Sequence, residues 1–372
     1  MPEIWLKYGT TDAVLNIRLE NLLYHISSTF PIMSDDEIRL TLNNDVYMND
    51  DLLLFALSNS DSTLKIADML LGLARQRGLS NVTVGVLPQK KASFRSYSRP
   101  AETIASEIKD KSFQEKIDAH SNIIFISHTT YDPLFGYSGT PTVLLRNYLK
   151  EGMTDAFKAR QCDIPMPGLR ASPLKIALRA CESIYAKSIE LIANSSGIIS
   201  IHYGNIYEAF EASTTQLNSY VTETEMPKYA FISAGNGTGQ DSTLADSLNS
   251  LWNVIHIIRE GGSAVLVGEN IRGIGSAALQ MFIEGRLNVE QQKQNSTYID
   301  GFEHLVYLDE LRQKYDLSII STLPHYYLKA KLGLKTYGNI KNALEGAVSK
   351  FGTRQKVLVV SDADIVLLKA KK

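Results

Sequence analysis

The chain has 372 residues, of which 44% are hydrophobic and 21% charged, a composition that excludes fibrous and disordered classes and leaves room for two domains. A formal net charge of −2 supplies no global field to attract nucleic acid or an anionic membrane. Its two cysteines, Cys162 and Cys181, lie outside any CxxC spacing, which argues against a disulfide framework and a metal site and implies a reducing cytoplasm.

The N terminus, MPEIWLKYGTTD, has no basic segment followed by an apolar core, so it does not read as a signal peptide. No apolar run is long enough to span a bilayer. IWLKYG and AVLNIRL predict a small hairpin joined through the turn-prone TTD. Short apolar runs then predict strands at 51–57 (DLLLFAL), 81–87 (NVTVGVL), 122–127 (NIIFIS) and 197–203 (GIISIHY). Leu64, Ala67, Leu71 and Ala74 form a helical stripe between the first two, with Gly78 placed to end it. A polar stretch with a proline, TETEMPK at 222–228, marks a domain boundary, giving an N-terminal unit over 1–222 and a C-terminal unit over 227–372.

Beyond the boundary, strands are predicted at 228–234, 262–268, 317–322 and 356–361. Leu244, Leu248, Leu251, Ile255 and Ile258 define a helix that Ser242 or Thr243 can cap and Gly261 can follow. Ile340, Ala343, Leu344, Ala347 and Val348 define another, with Asn339 before it and Gly352 after it. Most strands are apolar on both faces. The fold expected is therefore α/β: two domains with open, mainly parallel sheets flanked by helices, and a ligand crevice between the domains. Lysine clusters at 89–91 and 329–335 read as solvated faces.

Ligands of open α/β sheets bind at the carboxyl ends of strands, so the loops there hold the candidate groups. SNSDST at 58–63 opens a helix, where Asp61 or Ser62 is a candidate cap and free N–H groups can hold an anion. PQKKASFR at 88–95 brings Lys90, Lys91 and Arg95, either solvated or set to meet a carboxylate or phosphate. His128 and Asp132 follow the third strand and lead into the glycine loop GYSGTPT at 136–142. His128 is either a general acid or base with a nearby carboxylate, or a hydrogen-bonded structural histidine. In the second half, GNGTGQDST at 235–243 offers Asp241. ENIRGIGS at 269–276 offers Gly273 and Gly275, and two glycine loops on neighbouring strands suggest a crevice.

In this order, the segments resemble the nickel-pincer lactate racemase family, two-domain α/β proteins that interconvert 2-hydroxy acid stereoisomers. The resemblance is clearest over 231–282, FISAGNGTGQD through ALQMF, with support from IISIHYGNIYEAFEA and KVLVVSDADIVLL. It implies a nickel-bearing pyridinium nucleotide tethered to a lysine of the glycine loop. GYSGTPT sits where the family has Gly-Phe-Ser-Gly-Gly-Arg-Lys, which places Thr142 at the tether. Asp132 and Lys90 then fall at the acid/base histidines and Lys158 near the nickel-ligand histidine. Asp61 and Thr63 retain half of an Asp-His-Thr-Arg motif.

The candidate cofactor-binding residues are then Asp61, Thr63, Gly136, Ser138, Gly139, Asp241, Gly273 and Gly275, and a divergent enzyme would use His128, Asp132 and Lys90 as its catalytic set, with no metal ligand assigned. Two readings follow. One is a divergent isomerase, a racemase or epimerase acting on 2-hydroxy acids or related polar molecules by hydride transfer on the nickel-pincer nucleotide or with another acid/base set. The other is a non-catalytic relative that binds a small molecule or a partner. Both expect a small polar or anionic molecule in the crevice, with no nucleic acid and no membrane.

Overall fold

Apolar runs bounded by turn residues fold as strands, and each run named above does so in the computed structural model, which describes residues 3–88, 106–235, 241–295 and 297–371. The strands are β1 (Glu3–Tyr8), β2 (Thr11–Asn16), β3 (Leu22–Ile26), β4 (Leu52–Ala56), β5 (Val82–Val86), β6 (Ser106–Glu107), β7 (Asn122–His128), β8 (Thr130–Asp132), β9 (Gly136–Ser138), β10 (Lys187–Asn194), β11 (Gly197–Asn205), β12 (Thr222–Thr224), β13 (Tyr229–Ser233), β14 (Ser263–Val267), β15 (Asp316–Ile320), β16 (Lys335–Thr336), β17 (Val357–Val360) and β18 (Leu368–Ala370). The helices are α1 (Asp35–Asp45), α2 (Asp61–Gln76), α3 (Asp110–Asp118), α4 (Thr140–Asn147), α5 (Glu151–Lys158), α6 (Ser172–Ala180), α7 (Ile206–Ser219), α8 (Leu244–Val254), α9 (Ala277–Ile283), α10 (Val289–Gln294), α11 (Phe302–Leu311) and α12 (Ile340–Phe351).

Two six-stranded sheets result, as the β–α alternation requires. The first runs β11-β10-β7-β4-β5-β6 and is parallel except for the β10–β11 hairpin. The second runs β16-β15-β14-β13-β17-β3 and is parallel throughout. Strand order reverses between β4 and β7 in one sheet and between β13 and β17 in the other, the points where open α/β sheets bind ligands. No helix among the described residues is long and apolar enough to cross a membrane.

Helix ends follow the cap chemistry closely. Thr243 caps α8 and Asn339 caps α12, each accepting a backbone N–H from its own first turn. The cap of α2 is Ser60, not Asp61 or Ser62: Ser60 has the extended backbone a cap needs, and its hydroxyl accepts from Thr63 N. Asp61 is thereby the first helical residue, exposed, where its charge suits the positive end of the helix dipole.

The first 26 residues do not stay with the sheet that follows them in sequence. Strand β3 pairs with β17 at the edge of the second sheet, and the β1–β2 hairpin packs Ile4, Leu6, Leu15 and Ile17 onto its face beside Tyr229, Phe231 and Ala343. The expected unit 1–222 thus lends its N terminus to the other half. A continuous apolar core also joins the two halves. Phe157 lies 5.4 Å from Phe302 and 5.7 Å from Tyr298, ring centre to ring centre, and the Tyr307 hydroxyl donates to the Pro133 carbonyl.

Candidate functional site

Asp132 ends β8 and starts a tight turn in which one carboxylate oxygen accepts from Leu134 N and Phe135 N, both at 2.8 Å. The same carboxylate meets the Arg146 guanidinium at 3.0 and 3.3 Å, a two-oxygen grip. Arg146 projects from α4 and also donates to Glu303 of α11 at 2.6 Å, so it bridges the two halves of the chain. Tyr298 donates to the second oxygen of Glu303 at 2.5 Å and accepts from Gly301 N. Burial alone would raise the Glu303 carboxyl, but the adjacent Arg146 charge outweighs it and holds the group down at about 2. Burial opposes the Arg146 charge too, yet Asp132 and Glu303 hold its pKa well above the usual guanidinium value. Next to Glu303, His304 Nδ1 accepts from Trp252 Nε1 at 3.0 Å, and burial keeps that ring below the ordinary histidine value.

The glycine loop connects Asp132 to this helix, and its glycines are demanded by the protein itself. Gly136 has φ +86, and a Cβ there would overlap the Leu169 carbonyl. A Cβ on Gly139 would press on the Phe210 ring at 2.7 Å and on Glu190 at 3.0 Å. Ser138, half-buried, stands opposite Thr130 in the β8–β9 pair. Thr142 is 1% exposed, and its hydroxyl accepts from Gly139 N and donates to Gly139 O, both at 3.0 Å. The helix N terminus behind the loop is already met by an internal carboxyl group. Glu190 of β10 accepts from Thr140 N at 2.9 Å, from the Thr129 hydroxyl at 2.9 Å and from the Ser188 hydroxyl at 3.2 Å. Burial raises the Glu190 carboxyl against the pull of those donors.

His128 does not share Asp132's partners. The ring lies at the end of β7, fully inside, where Nε2 accepts from Ala193 N at 3.2 Å. Burial lowers its pKa to about 4, so the imidazole is neutral at physiological pH. An unfolded chain protonates it near the ordinary histidine value of 6.5, so the folded state binds fewer protons between those values. Its contribution is therefore present above pH 6.5 and lost as pH falls toward 4, a change of about 3 kcal/mol. Urea titrations of wild type and His128→Gln across this window should show a shallower acid loss in the variant; equal slopes would remove His128 as the cause. Of the other expected groups, Thr63 is buried with its hydroxyl 2.8 Å from Ser60 Oγ, Lys158 is exposed at the end of α5, and Lys90 lies outside the described residues.

At the carboxyl edge of the second sheet, the N-terminal hairpin occupies the ground between the glycine loops. Gly9 N donates to Asp241 at 2.7 Å, and Glu269 N donates to the same oxygen at 3.3 Å. The Ser233 hydroxyl, ending β13, donates to the Lys7 carbonyl at 2.9 Å, and a Cβ on Gly235 would overlap that carbonyl. The GIG loop serves α8: Leu244 N donates to Gly273 O and Ala245 N to Ile274 O, while Gly275 (φ +74) leaves room for the Thr243 cap. Asp241, Gly273 and Gly275 thus have partners within the chain.

No protein-family model matches the chain, and no curated protein matches it in sequence. Among solved structures, it superposes on the lactate racemase apoprotein from Thermoanaerobacterium thermosaccharolyticum with a TM-score of 0.74, over 99% of this chain and 100% of that one, at 11% identity. The fold is lactate-racemase-like. A Thermotoga maritima protein superposes with a TM-score of 0.64 over 91% of this chain and 99% of that one, at 13% identity. Identities this low show a shared fold alone, and they bear out the two-domain, mainly parallel α/β expectation. The residues present do not fit a tethered nickel-pincer nucleotide: Thr142 offers a hydroxyl already bonded to Gly139, and the loop's close approaches are filled by Leu169, Phe210 and Glu190. Among the described residues, no group of three His, Cys, Asp or Glu side chains is arranged to hold a metal.

Sequence reasoning missed Arg146, Tyr298, Glu190 and Glu303. The signal for Arg146 and Glu303 was a single formal charge inside a largely apolar run, VLLRNYL and GFEHLVYL. Such a charge needs a buried partner.

Proposed function

We propose that this chain is a non-catalytic relative of the lactate-racemase-like fold, a cytoplasmic protein that binds a small polar or anionic molecule and does not racemise 2-hydroxy acids on a nickel-pincer nucleotide. The Asp132–Arg146–Glu303 bridge carries this reading. Asp132 stands where the family resemblance puts an acid/base group, and both its oxygens are committed to Arg146, with two backbone N–H groups besides. A general base must reach its substrate, and this carboxylate is 6% exposed and already bonded to Arg146 and to two backbone N–H groups.

The divergent racemase or epimerase reading needs His128, Asp132 and Lys90 around one substrate. The burial of His128, 4% exposed and bonded to the Ala193 backbone, weighs against it. Intact-mass spectrometry, nickel analysis and a lactate racemisation assay on protein made in a host with the cofactor pathway decide between the two. The expected result is the unmodified polypeptide mass, no stoichiometric nickel and no interconversion of isomers. A covalent adduct with nickel, or turnover, would refute the proposal.

A further inference from the structure

The sheets end in four edge strands of unequal length. Strands β6 and β16 have two residues each and β3 has five, whereas β11 has nine. Proteins usually guard a long edge with charge or proline, because its unpaired N–H and C=O groups template another strand. The β11 sequence GIISIHYGN contains no Lys, Arg, Asp, Glu or Pro.

Backbone alternation identifies the free groups. Thr129 N donates to the Leu191 carbonyl, so Leu191 faces β7, and its neighbours Glu190 and Ile192 face β11, opposite His202 and Ser200. Ile201 and Tyr203 therefore turn their backbone N–H and C=O outward, and among the described residues no backbone group outside the sheet pairs with them. Exposed apolar side chains bracket this edge. Ile32, 48% exposed, lies beside Gly197 at one end, and Tyr47, 71% exposed, has its carbonyl bonded by the Tyr203 hydroxyl near the other. Tyr207, 57% exposed, follows on α7.

We propose that β11 pairs antiparallel with β11 of a second copy of this chain, about a two-fold axis near His202, joining two sheets into one. The edge is self-complementary in the way a two-fold contact requires. Ile201 of each copy meets Tyr203 of the other, no like charges oppose, and Ile32 of each copy approaches the Tyr47 and Tyr207 end of the other. The axis at His202 pairs residues 199–205 of the two copies, seven residues and about 23 Å of strand, while the Ile198 carbonyl next to them is already bonded by Met33 N. A strip of that length reaches the roughly 800 Å² per partner of a stable interface only if the flanking side chains also meet, which is where the exposed Ile32, Tyr47 and Tyr207 stand.

Sedimentation or light scattering of the full chain tests this, together with hydrogen exchange at Ile201 and Tyr203. The expected result is a particle of twice the 41.3 kDa chain mass, with both amides protected. Ile32→Lys combined with Tyr47→Lys, both at exposed positions, should weaken dimerisation by about tenfold or more and release the two amides, with an unchanged circular dichroism spectrum. A wild-type monomer, association that continues past the dimer, or a dimer that survives the double substitution with both amides exchanging freely would each overturn the proposal.

Discussion

Replacing Arg146 by methionine should destabilise the folded chain by about 3–5 kcal/mol, because it leaves the Asp132 and Glu303 carboxylates buried without their shared cation. The two are almost fully enclosed, with side-chain exposures of 8% and 1%, so water cannot replace the lost partner. The sign of the pH dependence changes as well. In the wild type Glu303 is held at about 2, below its unfolded value, so its contribution is present above about pH 4.5 and is lost as pH falls toward 2. Without Arg146, burial is the dominant influence and raises that carboxyl, so the variant gains stability as pH falls from neutral and the group protonates. Chemical denaturation at neutral and mildly acidic pH reads both effects. A companion Arg146→Met with Glu303→Leu should recover part of the loss, since it leaves one buried carboxylate, Asp132, without a cation rather than two. A single substitution with unchanged stability would show the bridge to be incidental.

Most of the fold could be read because its signals are local. A strand buried on both faces is an apolar run, and a helix declares itself by its stripe and its cap, as at Thr243 and Asn339. Among the strands that were not expected, β10 carries Glu190 in the middle of KSIELIAN, and a buried carboxyl group interrupts the apolar run that marks its neighbours. Strand β3 escaped differently. LLYHI reads as a strand, but nothing local says that it joins β17, more than three hundred residues on.

The site was harder to read for a related reason. The glycines of 136–142 permit close backbone approach, but a sequence cannot say what approaches. In the fold it is Leu169, Phe210 and Glu190, all distant in sequence. The same ambiguity affected Asp241, whose neighbour is Gly9 at the tip of the N-terminal hairpin. Glycine and aspartate report a geometry that either a ligand or the chain itself can satisfy. Here the chain supplies the partners at both places.

Reinstalling a lysine at the tether position therefore gives the sharpest test of whether the loop retains a usable cofactor site. Thr142→Lys should destabilise the protein by about 3–5 kcal/mol, because it brings an amine into a position that is 1% exposed and breaks the reciprocal Thr142–Gly139 hydrogen bonds. A buried lysine escapes part of that penalty by losing its proton, so the loss should ease at alkaline pH. Two milder variants separate charge from packing. Thr142→Ser keeps the hydroxyl and should stay within about 1 kcal/mol of wild type, whereas Thr142→Val leaves Gly139 N unsatisfied and should cost about 1–3 kcal/mol. Made in a host with the cofactor pathway, the lysine variant should still show only its polypeptide mass, since the space beside the loop is taken by Phe210 and Glu190. If that variant instead folded normally and carried a nickel-bearing adduct, the loop would be a cofactor site lacking only its anchor. The claim that the residues present do not fit the nucleotide would then fall, and the acid/base positions Asp132 and Lys90 would be the next to test.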